Sequence, residues 1–292
     1  MRLGNVRSKP TERSHECLIR DDEHAQKGSH MSATSLTILT AIAISTSIAS
    51  TAHAQWTVTR LRPAGASSSV ANGVFGTEQA GYATFGTAEH AGIWNRTAAS
   101  WVDLHPADAT ASRAEANNNG RQAGAVQVNG VWRATLWSGS SATRIDIHPS
   151  NATSSYIQGM SQDQQIGLAM VNGRWQATLW YGTSDSRVNL NPTGASESRG
   201  VAVAGGQQVG YATFNDVTQA GVWRGTAESW TSLHPANATQ SFTSGTDGTQ
   251  VVGLATVGGI NRASLWNGTA ESWIDLNPSG SNRSGAACVL MG

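Results

Sequence analysis

Pro63, Pro106, Pro149, Pro192, Pro235 and Pro278 stand 43 residues apart along a chain of 292. Trp94, Trp137, Trp180, Trp223 and Trp266 keep the same period, and so do Gly81, Gly124, Gly167, Gly210 and Gly253. No insertion or deletion disturbs these landmarks. A strict period of this length means that one supersecondary unit has been copied, and that each copy buries its apolar faces against its neighbours.

The copy at 197–239 shows what the unit is. Ser198–Ala204 reads as a strand, Gly205-Gly206 as a turn, Gln208–Thr213 as a second strand, and Asn215-Asp216 as another turn. Gln219–Trp223 and Ser229–Leu233 follow as third and fourth strands, with Gly225-Thr226 between them. Pro235 then ends the fourth, because proline cannot donate to a ladder. Other copies place Asn129-Gly130 and Asn172-Gly173 at the second turn, a pair that favours the tight hairpin with positive φ at both positions. No segment carries a helical period. A four-stranded antiparallel meander repeated every 40 to 50 residues predicts an all-β fold, a β-propeller of five to six four-stranded blades. The glycine and alanine of the second strand are expected to let sheets approach, and the third-strand Trp to fill the wedge between them.

Five full copies are expected at about 67–110, 111–153, 154–196, 197–239 and 240–281. The segment 56–66 aligns with a fourth strand and 282–292 with a first strand, so the terminal pieces lack the second and third strands of a further blade. A five-bladed ring with extra seam strands, a six-bladed design that stops early, and an open solenoid all fit this pattern.

Upstream of the repeats, Leu36–Ile44 is a short apolar run, and Ala52-His53-Ala54 is a small-x-small motif. Together they read as a signal peptide, with 1–54 as a leader, 55–292 as the repeat domain, and a secreted or periplasmic location. No transmembrane segment is expected after cleavage. The repeat domain contains no lysine and balances 13 Arg against 14 Asp plus Glu, which argues against a nucleic-acid partner. Cys17 falls in the leader, so Cys288 is expected to pack as a lone apolar thiol.

The unit Gly206-Gln207-Gln208-Val209-Gly210-Tyr211-Ala212, then Ala220-Gly221-Val222-Trp223, then Ser229–Pro235, resembles bacterial extracellular HAF-type repeats. Those carry Gly-Gln-Val-Val-Gly followed by His-Ala-Phe. His90-Ala91 keeps the pair in the first copy, while Gly92, Thr135, Thr178, Gly221 and Ser264 stand at the Phe position. The resemblance implies a secreted, propeller-like repeat protein and no particular reaction.

Three features invite a chemical reading. His105, His148 and His234 share a repeat position with Asn191 and Asn277. A metal ring there is disfavoured, because ligands sit about 2 Å from a zinc ion whereas stacked sheets lie about 10 Å apart. Asp103, Asp146 and Asp275 occupy another repeated position and read as strand-end hydrogen-bonding groups. The departures from the repeat are the better place for a site. Copies two and three replace the second Trp by Arg144 and Arg187 and add Trp132 and Trp175. Those four are the candidate ligand-binding residues, with compensated packing in two similar blades as the competing account. No nucleophile elbow, phosphate loop, Cys–His metal spacing or triad is present, and neither metal nor cofactor is expected. The leading reading is a non-enzymatic binding or surface-interaction scaffold for a glycan or cell-surface component, of open oligomeric state. The alternative is an extracellular propeller hydrolase or lyase acting on polysaccharide.

Overall fold

The computed structural model describes residues 57–289. The export signal, its cleavage motif and Trp56 lie outside them. Among the described residues no helix is long and apolar enough to cross a membrane.

The described residues build five four-stranded antiparallel sheets, spanning 68–103, 111–146, 154–189, 197–232 and 238–275, each with its strands side by side in chain order. These are the blades of a β-propeller. In the fourth sheet the strands are Glu197–Ala204, Gln207–Phe214, Val217–Trp223 and Thr231–Ser232. The fourth strand is shorter than the sequence suggests, because Ala227–Ser229 close a 3₁₀ turn first. Gly139, Gly182, Gly225 and Gly268 take positive φ ahead of the fourth strand, and Arg96 takes φ 62° at the equivalent place in the first sheet. First strands of neighbouring sheets lie against one another, while fourth strands pack chiefly on their own third strands.

The second-strand glycine has a different reason from the one expected. A Cβ on Gly210 would overlap the carbonyl oxygen of Arg199 in the first strand of the same sheet. The same overlap arises at Gly81 with Val70, Gly124 with Arg113, Gly167 with Tyr156 and Gly253 with Phe242. At that level each first strand carries a register shift, between Gly200 and Ala202 in the fourth sheet. The glycine accommodates this bulge inside the sheet rather than the approach of the next sheet.

Packing between sheets repeats four times. Ile93 and Leu104 of the first sheet meet Val126 and Trp137 of the second. Leu136 and Ile147 meet Ile157 and Trp180; Leu179 and Leu190 meet Val203 and Trp223; Val222 and Leu233 meet Val251 and Trp266. Trp137, Trp180, Trp223 and Trp266 thus each cover the Leu or Ile that follows the fourth strand of the sheet before, and Trp94 stands at the same place in the first sheet. All five of these Trp side chains are fully buried. Cys288 is disulfide-bonded rather than a lone thiol, and the chain's other cysteine lies outside the described residues.

The indole N–H groups of all five core Trp residues have no hydrogen-bond partner among the described residues. Their contribution is therefore area and shape, not a polar bond. Trp223→Ala is expected to cost about 3–5 kcal/mol. Trp223→Phe, which abandons no hydrogen bond, is expected to cost about 1–2 kcal/mol. Denaturant midpoints of the two variants check this, and equal losses would refute it.

Candidate functional site

The repeated histidines form a clasp between sheets. His105 Nδ1 lies 2.8 Å from Ser112 Oγ, and Nε2 lies 3.2 Å from the Ala109 carbonyl. Ser112 Oγ in turn accepts from Ala91 N at 2.8 Å. A carbonyl can only accept, so Nε2 carries the proton and Nδ1 accepts from the serine hydroxyl. His148 repeats the arrangement with Ser155 and Ala152, and His234 with Ser241 and Ala238. Where asparagine stands, the polarity is the same: Asn191 Oδ1 accepts from Ser198 Oγ at 2.7 Å, and Asn191 Nδ2 donates to Ala195 O at 3.3 Å. Asparagine is thus an uncharged copy of the neutral imidazole. Burial, first among the causes, holds all three histidine pKa values below 6.5. His90 depresses His105 further and Arg133 depresses His148, while Asp103, Asp108 and Asp146 oppose.

The repeated carboxylates are engaged locally. Asp103, Asp146 and Asp275 each accept from the backbone N–H two residues on, at 2.8, 2.9 and 2.8 Å. Their other oxygens meet His90, Arg133 and Arg262.

The Trp-to-Arg exchange has a packing correlate. In the first and fourth sheets, Trp101 and Trp230 lie over Gly92 and Gly221, where a Cβ would overlap the ring. Thr135 and Thr178 stand at those third-strand positions in the second and third sheets, and there Arg144 and Arg187 replace the Trp. In the fifth sheet Ser264 accepts from Trp273 Nε1 at 2.9 Å. Arg144 reaches Asp108 at 2.7 Å, and Arg187 reaches Asn151 Oδ1 at 3.0 Å.

Trp132 and Trp175 stand elsewhere, at the start of their third strands. They line a cleft of about 320 Å³ over the second, third and fourth sheets, together with Arg113, Glu115, Ala125, Tyr156, Gln158, Leu168 and Arg199. The structure therefore brings the two tryptophans to one cleft and leaves Arg144 and Arg187 outside its lining. Arg113 and Arg199, unremarked in the sequence reading, take the cation places. Both occupy the first-strand position that is Tyr156 in the third sheet, and repeat alignment of that column was the signal available.

Tyr156 lies between the two indoles, with ring centroids 5.6 Å from Trp132 and 5.8 Å from Trp175. Arg113 is held by Glu89 at 2.6 and 2.8 Å, and its guanidinium sits 5.1 Å from the Tyr82 ring and 5.7 Å from that of Trp132. Arg199 lies 6.0 Å from the Trp175 ring and makes no ion pair among the described residues. Burial raises the Tyr156 phenol above its ordinary pKa, against a Ser154 hydrogen bond and the Arg113 charge. It is therefore a neutral donor at physiological pH. A second cleft of about 260 Å³, at the opposite strand ends, is lined by Ser161–Gln164, Tyr181, Gly205 and Gly206 and holds no such aromatic cluster.

No protein-family model and no curated protein matches the chain. Among solved structures it is similar to a putative TolB from Agrobacterium tumefaciens, at 13% identity and a TM-score of 0.51, covering 69% of this chain and 76% of that one. TolB from Acinetobacter baumannii matches at 12% identity and a TM-score of 0.48, covering 73% of this chain and 55% of that one. A puromycin hydrolase matches at 10% identity and a TM-score of 0.35, covering 64% and 42%. At these identities the likeness concerns the fold alone.

The clasp makes stability depend on pH with a definite sign. The folded histidine pKa values lie below the unfolded value, so the unfolded state binds more protons between the two. The stability is present above about pH 6.5 and is lost as pH falls through that value toward the folded pKa. Melting temperature should therefore drop between pH 7.5 and 5. The triple variant H105N/H148N/H234N should flatten that drop while folding normally, since asparagine serves in two clasps already. An unchanged slope in the triple variant would show that other groups set it.

Proposed function

We propose that this chain is a propeller-type binding protein, exported from the cell, and that the cleft over its second to fourth sheets holds a carbohydrate. The single observation that carries this reading is the row of partly exposed rings, Trp132, Tyr156 and Trp175, edged by Arg199 and Gln158. Flat aromatic faces stack on the C–H faces of a pyranose, and the planar donors at the edge suit its hydroxyl and carboxyl oxygens. The arrangement also departs from the repeat. At the Trp position the first, fourth and fifth sheets carry Glu89, Thr218 and Asn261. Chemistry confined to adjacent blades is what one elongated ligand requires.

The hydrolase reading finds less support. Glycoside hydrolysis ordinarily sets two carboxylic acids across the scissile bond. Glu115 is the carboxylate in the cleft lining, and Glu89 nearby is occupied by Arg113. The resemblance to HAF-type extracellular repeats and the leader-like N-terminus support an exported protein.

A glycan array, followed by tryptophan-fluorescence titration of the strongest hits, tests the proposal. Trp175→Ala is expected to weaken binding at least tenfold, since it removes apolar contact area at about 25 cal/mol per Å² together with a ring contact of about 0.5–1.5 kcal/mol beyond that area. Its melting temperature should stay close to that of the parent, because the ring is partly exposed. Absence of any saturable hit, or a hit indifferent to Trp175→Ala, would overturn it. Turnover of a polysaccharide in the same panel would move the assignment to the enzyme.

A further inference from the structure

Two arginines at the same repeat position bound the cleft over the second to fourth sheets, and their surroundings differ. Arg113 of the second sheet is gripped by the Glu89 carboxylate at 2.6 and 2.8 Å and lies 5.1 Å from the Tyr82 ring. Glu115, two residues on along the same face of the strand, adds a second negative charge that favours the charged guanidinium. Two carboxylates thus attend one cation at the second-sheet end.

Arg199 is Arg113 carried forward by two repeats, and the same step replaces each of these neighbours. Glu89 becomes Trp175, Glu115 becomes Val201, and Tyr82 becomes Leu168. The backbone does not change with them. Glu115 and Val201 each stand at the register shift of their strand, between Ala114 and Ala116 and between Gly200 and Ala202. The carboxylates are lost by substitution, not by movement. Arg199 keeps its guanidinium 6.0 Å from the Trp175 ring and has no ion pair among the described residues. Glu197, on the same face of the same strand, lies outside the cleft lining and makes no ion pair with it. Arg199 is partly buried, and a guanidinium beside an aromatic ring still offers N–H donors along its edge.

We propose that the carbohydrate of this cleft is an acidic one, and that Arg199 is its specificity-determining residue, seating the carboxylate of a uronic acid unit at the fourth-sheet end. The inference rests on the carbohydrate reading and adds the charge and direction of the ligand. The Trp132, Tyr156 and Trp175 rings take sugar faces whether or not the sugar is charged. Arg199 takes the anion through paired N–H···O bonds, which are charge-assisted and match the planar carboxylate. Arg113 does not serve the same end, because both oxygens of Glu89 already occupy its donors. Glu115 in the lining repels a carboxylate there. The acidic unit therefore points toward the fourth sheet.

The probes are oligosaccharides of galacturonate, of mannuronate and of alternating glucuronate and N-acetylglucosamine, each titrated beside its own methyl ester by tryptophan fluorescence. At least one acid is expected to bind at least tenfold more tightly than its ester, with an advantage that shrinks as salt is added. Arg199→Gln should remove that advantage and leave the ester's affinity unchanged, whereas Trp175→Ala should weaken acid and ester alike. The comparison of acid with ester on the parent needs no variant, so it decides the point should Arg199→Gln fail to fold. Equal affinities in the parent, or an acid preference that survives Arg199→Gln, would overturn the proposal, and a common loss in Trp175→Ala would still leave the carbohydrate reading standing. Binding confined to neutral glycans would have the same meaning. A sulfated galactan oligosaccharide bound in preference to every uronate would overturn the carboxylate assignment. No saturable binding by any probe or any glycan of the array would sink both readings together.

Discussion

A four-stranded sheet satisfies its backbone hydrogen bonds in its own plane but can do nothing for its two faces. In this chain the faces are closed by one interface used four times, a Trp ring laid on the Leu or Ile of the preceding sheet beside a serine that ties the two backbones together. Everything else follows from that contact. The 43-residue period is the length needed to return the next Trp to the next Leu. The bulge and its glycine keep the first strand in register with the sheet it belongs to while its serine reaches the neighbour.

The clasp also explains why histidine and asparagine alternate at one position. The requirement is an acceptor toward the serine and a donor toward a backbone carbonyl, and both side chains offer that pair at compatible spacing. A charged imidazole would place a second donor against the serine, so burial and hydrogen bonding both favour the neutral ring. The residues that most resembled a metal ring are thereby accounted for by their contribution to the seams.

The cleft arises differently. It occupies positions that the interface does not constrain, at the strand ends over the second to fourth sheets, where the repeat is free to vary. Tyr156, Trp132, Trp175, Arg113 and Arg199 come from first and third strands that are far apart in sequence but meet because first strands of neighbouring sheets adjoin. Binding chemistry concentrates where the copies differ, and structural chemistry where they agree.

The sequence by itself determined the period, the all-β meander, the turn positions and the burial of the core Trp. Each depends on local pattern: Asn-Gly at hairpins, proline after the fourth strand, an aromatic every 43 residues. It also singled out Trp132 and Trp175 as departures from the repeat. It coupled them to Arg144 and Arg187, which replace the second Trp in the same copies, whereas the rings lie beside Arg113 and Arg199. That difference is tertiary, because the start of a third strand faces the first strands of its own and the following sheet, and sequence distance does not measure that. Likewise, only the packed structure revealed that the second-strand glycine serves a bulge within its sheet, and that among the described residues no Trp covers Leu276 as one covers each of its four counterparts. A repeat can be read from its period, but which of its faces remain open depends on what stands next to it in space.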